Sequence, residues 1–330
     1  MAMFLIVGGA GYIGSHMVKH LASHGHDVVV LDDLSSGHRK SVVAGKFIQG
    51  DLGDQDLIEE IFSTSKIDCV MHFAAFSLVG ESVELPLNYY HNNTAKTTSL
   101  LMAMARHGVD KFILSSTAAV YGEPENLPIL ETEPTEPTNP YGRSKLFIEE
   151  ILEDCDTAHG LKHISLRYFN AAGASKEGEI GEDHSPETHL IPLVLQVALG
   201  QREYIEIYGT DWDTPDGTCI RDYIHVMDLA EAHILAAQRL MEGGESGVYN
   251  LGCQSGYSVR EIISIVREIT GKPIPAVESD RRPGDPARLV ASSEKIKSEL
   301  GWNPRYDDPE RIIATAWRWH SANPRGYSDV

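Results

Sequence analysis

A glycine-rich septet, Gly8-Gly9-Ala10-Gly11-Tyr12-Ile13-Gly14, separates a short apolar run (residues 4–7) from an amphipathic segment (14–23), and it constrains the fold more than any other feature of the chain. It satisfies both the Gly-x-Gly-x-x-Gly and the Gly-x-x-Gly-x-x-Gly spacings. Glycines so placed let the backbone turn tightly after a strand and approach an anion, while the next helix offers unpaired N–H groups and positive dipole density. Such strings also occur as ordinary turns. Here a strand pattern precedes, a helix pattern follows, and Asp32 closes the next apolar run, 18 residues after Gly14, which together point to a dinucleotide loop. A carboxylate at Asp32 accepts from a ribose diol and repels a 2′-phosphate, favouring NAD over NADP; the alternative is that Asp32 and Asp33 cap a turn. Asp51-Leu52 offers a second contact near the adenine, although Asp51 by itself reads first as a helix cap.

The first half of the chain alternates short apolar runs with amphipathic ones, the pattern of a parallel sheet with helical crossovers. Strands are predicted at 4–7, 27–31, 46–49, 69–72, 111–115 and 163–167, and helices at 14–23, 54–63, 87–106 and 140–158. The apolar runs lack strict alternation, which suits strands buried on both faces. After about Asn170 the texture shifts to longer loops rich in Gly, Pro and acidic residues, with helix-like stretches at 188–199, 227–241 and 258–270 and strand-like ones at 221–225 and 248–251. The expected architecture is a doubly wound α/β domain at 1–170 and a smaller α/β lobe at 171–330, with segments of the second half returning to the first domain.

Tyr141-Gly142-Arg143-Ser144-Lys145 places a phenol and an ammonium four residues apart on one predicted helix face, which brings them close together. A phenol with a pKa near 10 is a poor base at neutral pH, and lowering it toward 7 takes roughly 4 kcal/mol of preferential phenolate stabilisation. A lysine and a cationic nicotinamide ring together can supply that. Asn139-Pro140 is a natural helix start. Tyr-x-x-x-Lys alone is a common string. It gains meaning from Ser115-Ser116-Thr117 at the end of an apolar strand, with Thr117 lying 24 residues upstream of Tyr141. A Thr117 hydroxyl there can hydrogen-bond the substrate oxygen that gains and loses a proton.

In these motifs the chain resembles the extended short-chain dehydrogenase/reductases and, within them, the UDP-galactose 4-epimerases, over nearly its whole length. The resemblance is carried by 8–14, His72-Phe73-Ala74-Ala75, Val79-Gly80-Glu81-Ser82, Tyr89-Tyr90-His91-Asn92-Asn93, Val120-Tyr121-Gly122 and 141–145. It continues through Arg167-Tyr168-Phe169-Asn170, 221–226, Tyr249-Asn250-Leu251-Gly252 and Arg281-Arg282-Pro283-Gly284-Asp285. It implies that Gly8, Gly11, Tyr12, Ile13, Gly14, Asp32, Asp51, Leu52, Phe73, Ala74, Asn92, Ser115, Lys145 and Tyr168 hold NAD, and that Thr117, Tyr141 and Lys145 are catalytic. Asn170, Leu190, Tyr208, Arg221, Arg282 and Asp285 are implied to contact a UDP-hexose along with Thr117 and Tyr141, two arginines being suited to clamp a pyrophosphate. Ser77 departs from the pattern where some relatives carry lysine, and His189 stands where several carry asparagine, so its contact with substrate is an expectation of hydrogen-bonding capacity alone. Leu289 either walls the sugar's 2-substituent or is a core residue on a strand.

The implied reaction inverts C4 of the sugar through a transient 4-ketone. Nucleotide-sugar 4,6-dehydratases share fold and cofactor but place an acidic pair after the threonine, where this chain has Ala118-Ala119. Another UDP-sugar 4-epimerase and a non-catalytic NAD sensor are the alternatives. A net charge of −20 disfavours nucleic acid as a partner. Four scattered cysteines suggest neither a zinc site nor a disulfide framework, no metal site is expected, and no apolar stretch reaches membrane-spanning length. A cytoplasmic protein is therefore expected. Residues 87–106 and 140–158 either form a two-fold interface between two copies or turn their apolar faces to the sheet.

Overall fold

A computed structural model describes residues 1–254, 256–282 and 285–327; Pro283 and Gly284 of the arginine-rich motif lie outside the described residues. In chain order the strands are β1 (Met3–Val7), β2 (Asp27–Asp32), β3 (Lys46–Gln49), β4 (Cys69–His72), β5 (Lys111–Ser115), β6 (Lys162–Tyr168), β7 (Asn170–Ala172), β8 (Ile205–Tyr208), β9 (Ile220–Arg221), β10 (Tyr223–His225), β11 (Gly247–Leu251), β12 (Tyr257–Ser258), β13 (Ala276–Ser279) and β14 (Arg288–Leu289). The helices are α1 (Tyr12–Ser23), α2 (Gln55–Thr64), α3 (Val79–Glu84), α4 (Pro86–Tyr89), α5 (Lys96–His107), α6 (Pro140–His159), α7 (Leu190–Ala198), α8 (Val226–Met241), α9 (Val259–Thr270), α10 (Glu294–Leu300) and α11 (Pro309–Ala322).

Seven strands form one sheet in the order β11-β6-β5-β4-β1-β2-β3, every neighbouring pair parallel. This is the doubly wound α/β arrangement, whose order reverses beside β1 and β4. One apolar layer, with Met17, Leu21, Leu229 and Ala236, joins α1 and α8 to one face of the sheet. A second, with Ile58, Phe62, Leu100, Met104, Ile148 and Leu152, joins α2, α5 and α6 to the other. Both faces are therefore dry, which is why the strands are almost uniformly apolar. A third core, with Val194, Ile207, Ile263, Val266 and Ile313, binds α7, α9 and α11 to the short strands of the second half.

Local chemistry sets the element ends. α6 starts where Asn139 accepts from Gly142 N–H at 2.9 Å with Pro140 in the first turn, and stops at Gly160, whose φ is +69°. α9 carries a reciprocal cap between Ser258 and Glu261.

Two expectations change. The predicted helix at 87–106 is α4, a π-helical turn (Tyr90–Ala95) and α5 in succession. The wider turn sets Asn93 so that its side chain accepts from Phe76 N–H at 2.9 Å and donates to the Phe76 carbonyl at 3.0 Å and the Ser144 hydroxyl at 3.0 Å. The predicted strand at 221–225 is broken at Asp222 into β9 and β10, which lie in different sheets. Asp222 is buried and accepts from Cys253 N–H at 2.8 Å and Ala291 N–H at 3.0 Å, so its side chain bridges segments that a continuous ladder would leave apart. β11 completes the main sheet beside β6, and α8 lies on α1, so the second half of the chain returns to the first.

Candidate active site

The glycine septet leaves β1 at Gly8, whose φ is +80° and where a Cβ would come within 2.4 Å of the Ala74 amide nitrogen. At Gly14 a Cβ would meet the Gly8 carbonyl at 2.1 Å, so both positions are closed to any other residue by the protein's own packing. Gly11 is different: a Cβ there would touch nothing closer than 3.5 Å. It is the N-cap of α1, makes no side-chain cap, and the first turn of Tyr12 and Ile13 holds no acidic residue. The helix N-terminus is thus left open for an anion, and this cradle fits the pyrophosphate of a dinucleotide.

Asp32, 9% exposed at the end of β2, accepts from Ala10 N–H at 2.8 Å with one oxygen and from Leu34 N–H at 2.8 Å with the other. Burial raises its pKa, while the backbone N–H groups of Leu34, Ala10 and Gly11 oppose that shift. Asp33 accepts from Ser35 N–H at 2.8 Å, so both aspartates do close the turn, and Asp32 also holds the glycine loop against β2. Asp51 is not a helix cap: Asp54 caps α2, while Asp51 pairs with Lys96 at 2.7 Å and accepts from Gly53 N–H. Leu52 is buried beneath it in the α2/α5 layer. Phe73 and Ala74 leave β4 with both amides donating to the Val7 carbonyl, at 2.8 and 3.0 Å, and the Phe73 ring packs on His233. Asn92 lies in the π-helical turn and donates to the Asn93 side chain at 3.2 Å. Ser77 is exposed.

β5 delivers Ser115, Ser116 and Thr117 to the C-terminal edge of the sheet, and α6 lays Tyr141 and Lys145 across them. The Thr117 hydroxyl oxygen accepts from Ala119 N–H at 3.1 Å and lies beside the Tyr141 phenol, whose ionised form it favours. Burial pushes the Tyr141 pKa above its ordinary value, with the neighbouring Thr117 hydroxyl opposing. Lys145 is 2% exposed, and burial pulls its pKa down to about 8. Lys145 donates to the Ser115 carbonyl at 2.9 Å, at the end of β5. The Ser115 hydroxyl is hydrogen-bonded to the buried Tyr168 phenol.

One turn further along α6, Glu149 forms a buried fork with Arg167 of β6, its oxygens 3.1 Å from the guanidinium Nε, and also accepts from Ser116. Arg167 donates to the Tyr121 hydroxyl at 2.9 Å, which donates to Asn250 of β11 at 2.7 Å. The sequence expectations omit Glu149, Ser116 and Asn250 as supports. The available signal was the continuation of the Tyr141, Lys145 face by one more helical step to Glu149.

On the other side of the cleft, Asn170 of β7 donates to the Asp222 carbonyl at 2.9 Å. Arg221 donates to the Pro286 carbonyl at 2.9 Å and faces Asp285 at 3.5 Å, and Asp285 pairs with Arg282 at 3.0 Å. The Arg282 guanidinium lies 4.7 Å from the centre of the Tyr208 ring, whose hydroxyl donates to Glu206. Tyr208, Arg221, Arg282 and Asp285, distant in sequence, are therefore one cluster with two guanidiniums sharing one carboxylate. Leu289 of β14 is in register with Arg221 and packs against the small apolar group of Val120, Tyr121 and Ile129. Leu190 opens α7 and is partly buried in the third core. His189 turns its Nδ1 to Glu182 at 2.7 Å, so this nitrogen is engaged within its own loop.

Residues 4–252 match the NAD dependent epimerase/dehydratase family. A UDP-glucose 4-epimerase of Halalkalibacterium halodurans is 56% identical over 98% of this chain and 97% of its own length. A crystal structure of a UDP-glucose 4-epimerase superposes with a TM-score of 0.98 at 55% identity, covering 99% of this chain and 100% of the other. A UDP-glucose 4-epimerase from Bifidobacterium longum, solved in complex with NAD+ and UDP, gives 0.92 at 41% identity over 98% of this chain and 100% of that one. With the open glycine cradle, the Thr117–Tyr141 pair and the buried lysine in one cleft, and with three quarters of its length matched, the chain belongs to the NAD dependent epimerase/dehydratase family.

Proposed function

We propose that the protein interconverts UDP-glucose and UDP-galactose by inverting C4 of the hexose. The observation that carries this is the placing of the Thr117 hydroxyl beside the Tyr141 phenol, with Ala118 and Ala119 and not carboxylates following the threonine. The pair can move one proton at a sugar hydroxyl, but no acid and base stand beside it to eliminate water. NAD, held by the α1 N-terminus, Asp32 and the 73–74 turn, supplies a hydride acceptor and donor at C4. Tyr141 Oη takes the 4-hydroxyl proton and returns it, and Thr117 Oγ1 orients that oxygen. Because burial favours the neutral phenol, its ionisation depends on positive charge close by, and the Lys145 ammonium provides a fixed part of it. Arg221 and Arg282 grip the diphosphate, so the sugar can turn over while its anchor stays in place. Asp285 holds the two guanidiniums apart and preformed. Incubating the purified protein with UDP-galactose and resolving the products by chromatography tests this; no UDP-glucose formed at any enzyme concentration would refute it.

We read residues 1–170 as the cofactor-binding unit and 171–330 mainly as the nucleotide-sugar unit, with α8 and β11 returned to the first. We further infer a homodimer formed through α4, α5 and α6, supported by exposed Leu87 (79%), Met102 (58%) and Phe147 (39%) on these helices. Light scattering on the native protein and on a Leu87→Glu, Phe147→Glu variant checks it, a native monomer counting against it. No helix among the described residues is long and apolar enough to cross a membrane. Cys69 and Cys219 are buried free thiols, which suit a reducing compartment, and we place the protein in the cytoplasm.

A further inference from the structure

The loop between β7 and α7 gathers a set of side chains that the proton chemistry does not use. Glu182, His184, Glu187 and His189 each offer one donor atom, and the four atoms lie within 4.8 Å of one another. His189 Nδ1 lies 2.7 Å from Glu182 Oε1 and 3.4 Å from Glu187 Oε1. His184 Nδ1 lies 3.3 Å from the same Glu182 oxygen and 3.7 Å from Glu187 Oε2. Around a tetrahedral ion with bonds of about 2.0–2.1 Å, donor atoms stand about 3.3 Å apart, and these separations bracket that edge.

Two further observations separate the cluster from a solvated patch. The Glu182 and Glu187 side chains are only 3% and 7% exposed, and buried carboxylates need compensating charge. His184 Nδ1 is buried with no hydrogen-bond partner, although two carboxylates surround it. It lies 3.3 Å from Glu182 Oε1 without hydrogen-bond alignment, and at 3.7 Å Glu187 Oε2 is out of hydrogen-bond reach. The loop also presets the ligands: Glu187 Oε1 accepts from the backbone of Thr188 at 2.7 Å and of His189 at 2.8 Å, which fixes the carboxylate.

We propose that Glu182, His184, Glu187 and His189 form a structural site for a divalent transition-metal ion, zinc by its chemistry. Two imidazoles with two carboxylates suit zinc; calcium and magnesium call for a larger, all-oxygen set, and copper(I) for thiolates or thioethers. The two carboxylates cancel the charge of the dication. Four protein ligands close a tetrahedral sphere, which leaves no position for substrate and gives the ion a structural role. Its position says what it fastens. The His184 ring stands edge-on to Tyr12 with centroids 6.1 Å apart, and His189 is the N-cap of α7. An ion here ties the first turn of α1, on the cofactor side of the cleft, to the start of α7 on the sugar side.

The competing filling is two protons, which make the same cluster a set of His–Glu ion pairs. The test uses the full-length protein as purified, with its metal content measured before and after treatment with dipicolinate and dialysis. About one equivalent of zinc per chain is expected before stripping, and Co2+ added to the stripped protein should give the intense visible bands of a tetrahedral site. Zn2+, but not Mg2+, should raise the melting temperature by several degrees. His184→Gln and Glu187→Gln, two variants in case one fails to fold, should each weaken metal binding on the order of 100-fold or more. A partly exposed trio, His20, His24 and Glu231, is the internal control, and His24→Gln should change nothing. The proposal is overturned by the absence of retained zinc and of a cobalt spectrum, by an octahedral cobalt spectrum, or by metal binding that follows His24 and not His184.

Discussion

Lys145 donates to the backbone carbonyl of Ser115 at 2.9 Å, stapling the second turn of α6 to the end of β5. The lysine therefore has a positioning part, holding Tyr141 over Thr117, besides its charge. Tyr141→Phe should lower kcat by about 10²-fold or more with little change in UDP affinity, since it removes the proton carrier and leaves Arg221 and Arg282 in place. Lys145→Met should lower both kcat and the NAD retained through purification. Steady-state kinetics and NAD assay of denatured samples check both, and near-native turnover in Tyr141→Phe would remove the mechanism.

The Glu149–Arg167 fork is a buried ion pair, with side chains 3% and 7% exposed. Glu149→Leu leaves the guanidinium uncompensated and should cost about 3–5 kcal/mol in a urea unfolding experiment. Adding Arg167→Met should restore more than half of that loss, because the desolvated charge is gone. Equal stability of the single and double variants would mean that the pair is not coupled.

Acid should weaken the fold through its buried histidines. His72 and His233 are fully buried, and burial pushes their pKa values down to about 3 and about 4. In the unfolded chain both return to about 6.5, so between that pH and the folded values the unfolded state binds more protons. Their contribution is fully present above about pH 6.5 and is lost as pH falls toward 4 and 3. The urea midpoint should drop between pH 6.5 and 5, and His233→Gln should flatten the drop. A midpoint independent of pH in this window contradicts it.

We propose that Leu289 sets how much room the sugar's 2-substituent has. It lies in register with Arg221 and packs on the Val120–Tyr121 turn that follows Thr117, so it is both a packed residue and close to the reacting end. Leucine lacks the ring that a tyrosine would bring. UDP-N-acetylglucosamine should be accepted less efficiently than UDP-glucose, and Leu289→Tyr should shift the ratio of kcat/KM values about 10- to 200-fold against the acetamido sugar. An unchanged ratio would show that Leu289 is a core residue alone.

What could be read directly from the chain was what is local in it. The glycine septet, Asp32 at the end of β2, and the Tyr141, Lys145 helix step depend on backbone preference and a 3.6-residue period, and both operate within a few residues. The main-sheet strands were legible for the same reason: burial on both faces leaves a continuous apolar run. Two-residue strands such as β12 and β14 leave no such period, and β7, β8 and β13 went unread with them. Tertiary structure decided where the charges meet. It gave Lys145 to the Ser115 carbonyl, joined Glu149 to Arg167, and placed Asp285 between Arg221 and Arg282. It also turned a loop with no cysteine into a cluster of four donor atoms within 4.8 Å of one another. Those pairings are set by chain closure across the sheet and by the shape of a loop, and no spacing along the sequence encodes them.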